Sequence, residues 1–365
     1  GDWSSDVCSS DLFLIQTSAV NDNSRGVKFE DDIMGELIRF VSAHEVGHTI
    51  GLPHNMGSSF AYHVDSLRSP TFTANHGVAP SIMDYARFNY VAQPEDGVTN
   101  FYPRVGEYDI WSVKWGYTYF DGEDQNSEKE ILNKWIKEKA DNYQYWFGYS
   151  NGIDPRSQTE SIGSDNMDAS YYGLLNLKRI VPNLINWTYE DGKNYDDLKE
   201  LYLNVYSQFR RYIGHVSTNV GGIYENLKSN DQDGDVYTHV PKNLQKKAIE
   251  FLNSHVFSSL DWLVNRDVLS KIENIGAQER VRSIQEFALR RLFDYSRLAR
   301  MLENESMNGK LAYSINEMII DLDKSIWGDL ETASPTNIFN RNLQKSYINV
   351  LIDMMEEDKK QSSYA

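Results

Sequence analysis

The chain has 365 residues, 40% of them hydrophobic, with a formal net charge of -17 and a single cysteine. That length and apolar content suffice for a substantial core and suggest two or three domains. The acidic balance argues against a nucleic-acid or anionic-membrane partner, no apolar run approaches the roughly 20 residues that span a bilayer, and one cysteine supplies neither disulfides nor a thiol ligand set.

Residues 1–12, Gly-Asp-Trp-Ser-Ser-Asp-Val-Cys-Ser-Ser-Asp-Leu, are polar, lack any helical or strand period and hold Cys8. They resemble the translation of a sequencing-adapter oligonucleotide and are set aside from the fold; a natural unstructured terminus is the competing reading. On the first reading the natural chain begins upstream, and the absence of a signal peptide says nothing about destination. Phe13 to Ile15 reads as a strand end, followed by a polar loop through Asn21, Asp22, Asn23 and Gly26.

Asp31 and Asp32 then place negative charge where a first helical turn favours it, and Ile33, Leu37, Phe40, Val41, His44 and His48 recur with helical period. The Ile33, Leu37 and Val41 stripe is expected to be core. Ser42 to Asn55 reads Ser-Ala-His-Glu-Val-Gly-His-Thr-Ile-Gly-Leu-Pro-His-Asn. Residues four apart share a helix face, so His44 and His48 can offer two nitrogens to one ion. Gly51 can adopt the left-handed conformation that ends the helix and turns the chain back, bringing His54 round as a third ligand. Three nitrogens and a water describe a catalytic zinc site, whereas structural sites are closed by four protein ligands. Zn2+ lowers the pKa of its water to about 7. Glu45, one step round the helix, is then placed as general base and proton shuttle for amide hydrolysis. Histidines that merely pack or cap are the competing reading, but this extended pattern would arise in roughly one shuffled chain in 10^5.

From His54 to Pro80 the chain reads as a loop punctuated by Gly57, Pro70, Gly77 and Pro80. His63 and His76 are expected to be ordinary polar residues there, and Phe60, Tyr62, Phe72 and Tyr90 to form core or cleft wall. Ser81-Ile82-Met83-Asp84-Tyr85 follows at a distance suited to a returning loop.

His44 to His54 resembles the metzincin zinc motif, and Ser81 to Tyr85 resembles its Met-turn, with Met83 as the methionine beneath the three imidazoles. Tyr85 matches the position where some members carry a tyrosine that ligates the metal or hydrogen-bonds the tetrahedral intermediate; a packed tyrosine is the alternative. The wording of Gly51 to Ser59 and Ser66 to Pro70 is similar to the bacterial Met-zincin domain proteins. The likeness runs from about Phe13 to the mid-300s and is strongest from Val27 to Tyr117. Asn55 and Asp84 depart from the better-known metzincins. The resemblance implies a zinc metallopeptidase acting on proteins or peptides, exported to the periplasm, the outer membrane or the exterior. It also implies strands upstream of the active-site helix that this chain lacks. Those strands form one wall of the cleft, so turnover by this chain alone does not follow from the motif.

Tyr108, Trp111 and Trp115 lie on one face of a helix ending near Gly116, a candidate to pack under the zinc site. The catalytic portion is expected to span 13–119, with an insertion or linker at 120–169 that contains a helical piece, Glu128 to Tyr145. Asp154-Pro155-Arg156 and Asp165 match positions seen in the Met-zincin group, without an assigned role. Helical periodicity then dominates 170–355: Leu174 to Ile185, Tyr195 to Ile213, Leu244 to Asn253, Val281 to Leu302 and Leu343 to Met355. Asp231 to Asp235 invites a calcium reading, but the twelfth position of that loop is Val240 instead of glutamate. His215, His239 and His255 fall on separate segments, and 356–365 is a charged tail.

The expected fold class is therefore α+β, predominantly α: the C-terminal part of a metzincin-like catalytic domain followed by an α-helical domain. Two alternatives to peptide hydrolysis stay open at this point. One is a zinc-binding scaffold without turnover; the other is a zinc hydrolase of a non-peptide amide.

Overall fold

Helix α1 (Ser9–Thr17) stands where the apolar run Phe13 to Ile15 suggests a strand end, and this expectation is corrected. Phe13, Leu14, Ile15, Gln16 and Thr17 are all buried, so the run is surrounded on every side, and a short, fully buried segment has no amphipathic period by which to tell strand from helix. The computed structural model describes residues 9–274, 276–331 and 337–356. Cys8 and the tail after Glu356 lie outside the described residues. Helices dominate, and among the described residues the only sheet pairs two three-residue strands, β1 (Ile223–Glu225) and β2 (Tyr237–His239). The fold class is thus α+β with α predominant.

The chain forms two compact units. The first comprises the described residues of 1–152, 156–180 and 225–236; the second, those of 153–155, 181–224 and 237–365.

In the first unit, α2 (Asp31–Thr49) begins with Asp31 and Asp32 in its first turn and buries Ile33, Leu37, Phe40, His44 and Gly47, a stripe at three- and four-residue spacing. Val41 of the expected stripe is only half-buried. Gly51, at φ 86°, ends the helix: its N–H donates to the His48 carbonyl and the Leu52 N–H to that of Gly47, both at 3.0 Å. Phe13 of α1 stacks on Tyr102 and meets Phe88 and Phe29 edge-on, a cluster that also takes Ile33 and Leu37. This anchors the N-terminal half of α2 in the core and leaves its C-terminal half to carry the histidines. Further along come α3 (Pro70–His76), α4 (Glu107–Tyr117), α5 (Gln125–Lys139) and α6 (Asn166–Ile180), the last packed against α1. Asp124 caps α5, accepting from the N–H groups of Asn126 and Ser127, which places the helix start earlier than Glu128.

The second unit is built from α7 (Asp196–Ser217), α8 (Lys242–His255), α9 (Ala277–Leu292), α10 (Tyr295–Asn308), α11 (Ile315–Ile326) and α12 (Ile338–Glu356). Here α7 packs on α8 and α9, α9 on α12, and α8 on α11. The single helix expected over Val281 to Leu302 is two. Asp294 accepts from the Arg297 N–H at 3.0 Å and so starts α10 afresh. The buried Arg297 guanidinium donates to the carbonyls of Ser217 and Val220 and closes the C-terminal end of α7.

Candidate metal centre

His44 and His48 project from the last turns of α2, and the turn at Gly51 returns the chain so that His54 faces both. Its Nε2 lies 3.0 Å from His48 Nε2 and 3.2 Å from His44 Nε2. The other nitrogens are engaged by backbone: His44 Nδ1 is 2.8 Å from the Ile82 carbonyl and His48 Nδ1 is 2.9 Å from that of Leu52. A carbonyl only accepts, so both Nδ1 atoms carry the proton and both Nε2 atoms of the neutral rings present lone pairs to the same point. One imidazole N–H from His54 can satisfy only one of them, whereas a shared cation satisfies all three. Tetrahedral zinc with nitrogen ligands at about 2.0–2.1 Å sets those nitrogens about 3.3 Å apart, close to the separations seen. Among the described residues this is the one cluster of histidine, cysteine or acidic side chains with metal-holding geometry.

The electrostatics favour the neutral rings a metal requires. Burial lowers the pKa of His44 below the usual histidine value against the opposing Ile82 hydrogen bond, and burial together with the neighbouring His44 and His48 lowers that of His54. Glu45 is exposed on the adjacent helix position, and its carboxylate acts electrostatically on both His44 and His54.

The Met-zincin family profile matches residues 26–334. This chain belongs to the Met-zincin family. No curated protein and no solved structure matches it. Membership implies zinc, and the triad offers the nitrogens to hold it.

The segment Ser81 to Tyr85 packs against the end of α2 that carries His44 and His48. Met83 is fully buried, and its Sδ lies so close to α2 that a Cβ on Gly47, between the two helical histidines, would collide with it. Glycine at 47 is therefore what admits the methionine. Tyr85 is half-buried, its ring centroid 4.9 Å from that of His44 and 4.7 Å from that of His54.

Two polar residues that hold this arrangement have no motif of their own. Asp109, at the start of α4, is buried and accepts from Ser81 Oγ at 2.6 Å, from the Ile82 N–H at 2.7 Å and from the Gly106 N–H at 2.9 Å. It holds the N–H side of Ile82, the residue whose carbonyl meets His44 Nδ1. Asn55, also buried, receives the Gly148 N–H on Oδ1 at 3.0 Å and donates Nδ2 to the Trp146 carbonyl at 2.9 Å, while its own N–H reaches the Met83 carbonyl at 3.1 Å. It ties the segment carrying His54 to the Met-turn and to 146–148, so its departure from the familiar motif has a structural use. At the C-terminal end of α4 the Tyr117 hydroxyl donates to the Ile50 carbonyl at 2.9 Å.

The remaining histidines of the loop lie in other bonds. His63 caps a single helical turn by accepting from the Asp65 N–H, and His76 pairs with Glu107 at 2.8 Å. Asp231 forms an ion pair with Lys137. Among the described residues no helix is long and apolar enough to cross a membrane.

Proposed function

We propose that this Met-zincin is a zinc-dependent endopeptidase that hydrolyses peptide bonds, with His44, His48 and His54 holding the metal, Glu45 as general base and Tyr85 as donor to the oxyanion. The observation that carries the reading is the convergence of three imidazole nitrogens at 3.0–3.2 Å beside an exposed glutamate. Zinc, when bound, supplies the Lewis acidity that polarises a carbonyl and activates water at neutral pH.

The chain's own groups do the rest. Glu45 takes the proton of the attacking water and passes it to the leaving nitrogen, a role worth about 10^2–10^4 in rate. The Tyr85 hydroxyl donates to the carbonyl oxygen as charge develops on it. The Ile82 and Leu52 carbonyls keep His44 and His48 in the tautomer that leaves Nε2 free for the ion. Met83 and Gly47 keep that end of α2 rigid by direct packing.

The test is Glu45→Gln in zinc-loaded protein, assayed on a peptide library and by metal analysis. The proposal expects cleavage by the parent, loss of about 10^2-fold or more in the variant, and full zinc retention in both. Cleavage by the variant at the parental rate would sink it. Hydrolysis of a non-peptide amide with no peptide cleaved would move the chemistry to that substrate class.

A further inference from the structure

Among the described residues only two that are not glycine have a positive φ: Arg87 at 58° and Glu160 at 62°. A Cβ makes that conformation unfavourable, and it persists only where the surroundings over-determine it. The two residues are far apart in sequence yet meet in space, with Arg87 Nε 3.4 Å from Glu160 Oε1 and both side chains largely buried. An ion pair does not itself need such a backbone. Arg68 and Asp96 make a bidentate pair at 2.7 Å with neither residue in the left-handed region.

What the two share is Tyr85. The Arg87 guanidinium lies over its ring, Cζ 4.8 Å from the centroid, and the Glu160 backbone N–H donates to the Tyr85 carbonyl at 2.8 Å. The face of one ring and the backbone of the same residue are thus gripped by two partners that are themselves paired. That ring stands beside His44 and His54.

We propose that Arg87 and Glu160 are positioning residues for Tyr85, Arg87 strengthening its phenol as an oxyanion donor and Glu160 holding Arg87 in place. This rests on the metallopeptidase reading above. The physical basis is that a phenol donating to a developing negative charge becomes more electron-rich, and the attraction between its ring and a cation over the ring face grows with it. The contact is then stronger in the transition state than with bound substrate, and its loss falls on kcat with KM little changed.

The test titrates a short phosphinic peptide, tetrahedral and anionic like the oxyanion, into zinc-loaded protein, with peptide kinetics alongside. Arg87→Met is expected to weaken phosphinate binding and to lower kcat by about tenfold each, the scale of a desolvated cation–π contact, with zinc stoichiometry unchanged. The loss should vanish in a Tyr85→Phe background and be largely restored by Arg87→Lys. Glu160→Gln, nearly the same shape, should lose about threefold through Tyr85 alone and serves if Arg87→Met does not fold. If either loss recurs in full in the Tyr85→Phe background, or if Tyr85→Phe weakens binding and the Arg87 and Glu160 variants do not, the inference fails and the metallopeptidase reading stands. If Tyr85→Phe changes nothing, or the zinc-loaded parent does not take the phosphinate, the assignment of Tyr85 fails first and the inference with it.

Discussion

Replacing Asp109 by alanine perturbs the metal centre without touching a proposed ligand. Its carboxylate receives two backbone N–H groups, from Ile82 and Gly106, and the Ser81 hydroxyl. Truncation strands these donors in the interior at about 1–3 kcal/mol for each unsatisfied group. Burial raises the Asp109 pKa, so removing a carboxylate that is itself poorly solvated offsets part of that loss. A net destabilisation of about 3 kcal/mol is expected, which in a protein of this size lowers Tm by roughly 4 °C. The second consequence is on the metal. Ile82 loses the anchor of its N–H, and its carbonyl, 2.8 Å from His44 Nδ1, no longer fixes that ring. Loss of such an outer partner weakens metal binding by about 10–100-fold. Thermal unfolding followed by circular dichroism on metal-free protein gives the first number, and competition for zinc against a chromophoric chelator gives the second. Asp109→Asn, which keeps one acceptor oxygen, should fall between. A variant that unfolds within about 2 °C of the parent and binds zinc within about twofold would refute the claim that Asp109 organises the site.

Gly47→Ala should be poorly tolerated despite alanine's better helix propensity, because its Cβ displaces Met83. Overpacking of about 1–3 kcal/mol is expected in a chemical-denaturation curve, with weaker zinc binding, and a gain in stability would contradict the close approach. Asp84 provides a pH test. Its carboxyl is fully buried, Oδ2 accepts the Ser59 N–H at 2.6 Å, Oδ1 has no hydrogen-bond partner, and burial pushes its pKa up to about 7. A carboxyl whose folded pKa is raised costs stability as pH rises from its unfolded value, near 4, to about 7, and the cost is constant above that. Asp84→Asn should therefore match the parent near pH 4 and exceed it by a few kcal/mol at pH 8, the gap opening at about 1.4 kcal/mol per pH unit. A difference independent of pH would show that the group is not buried neutral.

The metal centre was legible because its chemistry is local. His44, Glu45, His48, Gly51 and His54 lie within eleven consecutive positions, and helix periodicity plus one glycine turn bring them together. Asp31 and Asp32 marked the start of α2 for the same reason. Asp109 and Asn55 were not legible, since nothing in Tyr-Asp-Ile or His-Asn-Met distinguishes a buried clamp from a surface polar residue until Ser81 and Gly148 arrive from elsewhere in the chain. The Arg87 and Glu160 pair is further out of reach, because a left-handed backbone at a non-glycine residue contradicts local preference. Phe13 to Ile15 misled because burial on all sides erases the amphipathic signal. Val281 to Leu302 misled because apolar periodicity runs on through Asp294, whose capping role depends on a hydrogen bond rather than on hydrophobicity.

Whether His44, His48 and His54 share one zinc ion is decided by X-ray absorption at the zinc edge of the metal-loaded protein, with metal analysis of the parent and of His54→Ala. One zinc per chain is expected, with three nitrogen neighbours and one further light atom at about 2.0–2.1 Å, and substantial loss of zinc when His54 is removed. A sub-stoichiometric metal content in the parent, or a shell and affinity unaltered by His54→Ala, would contradict a shared ion.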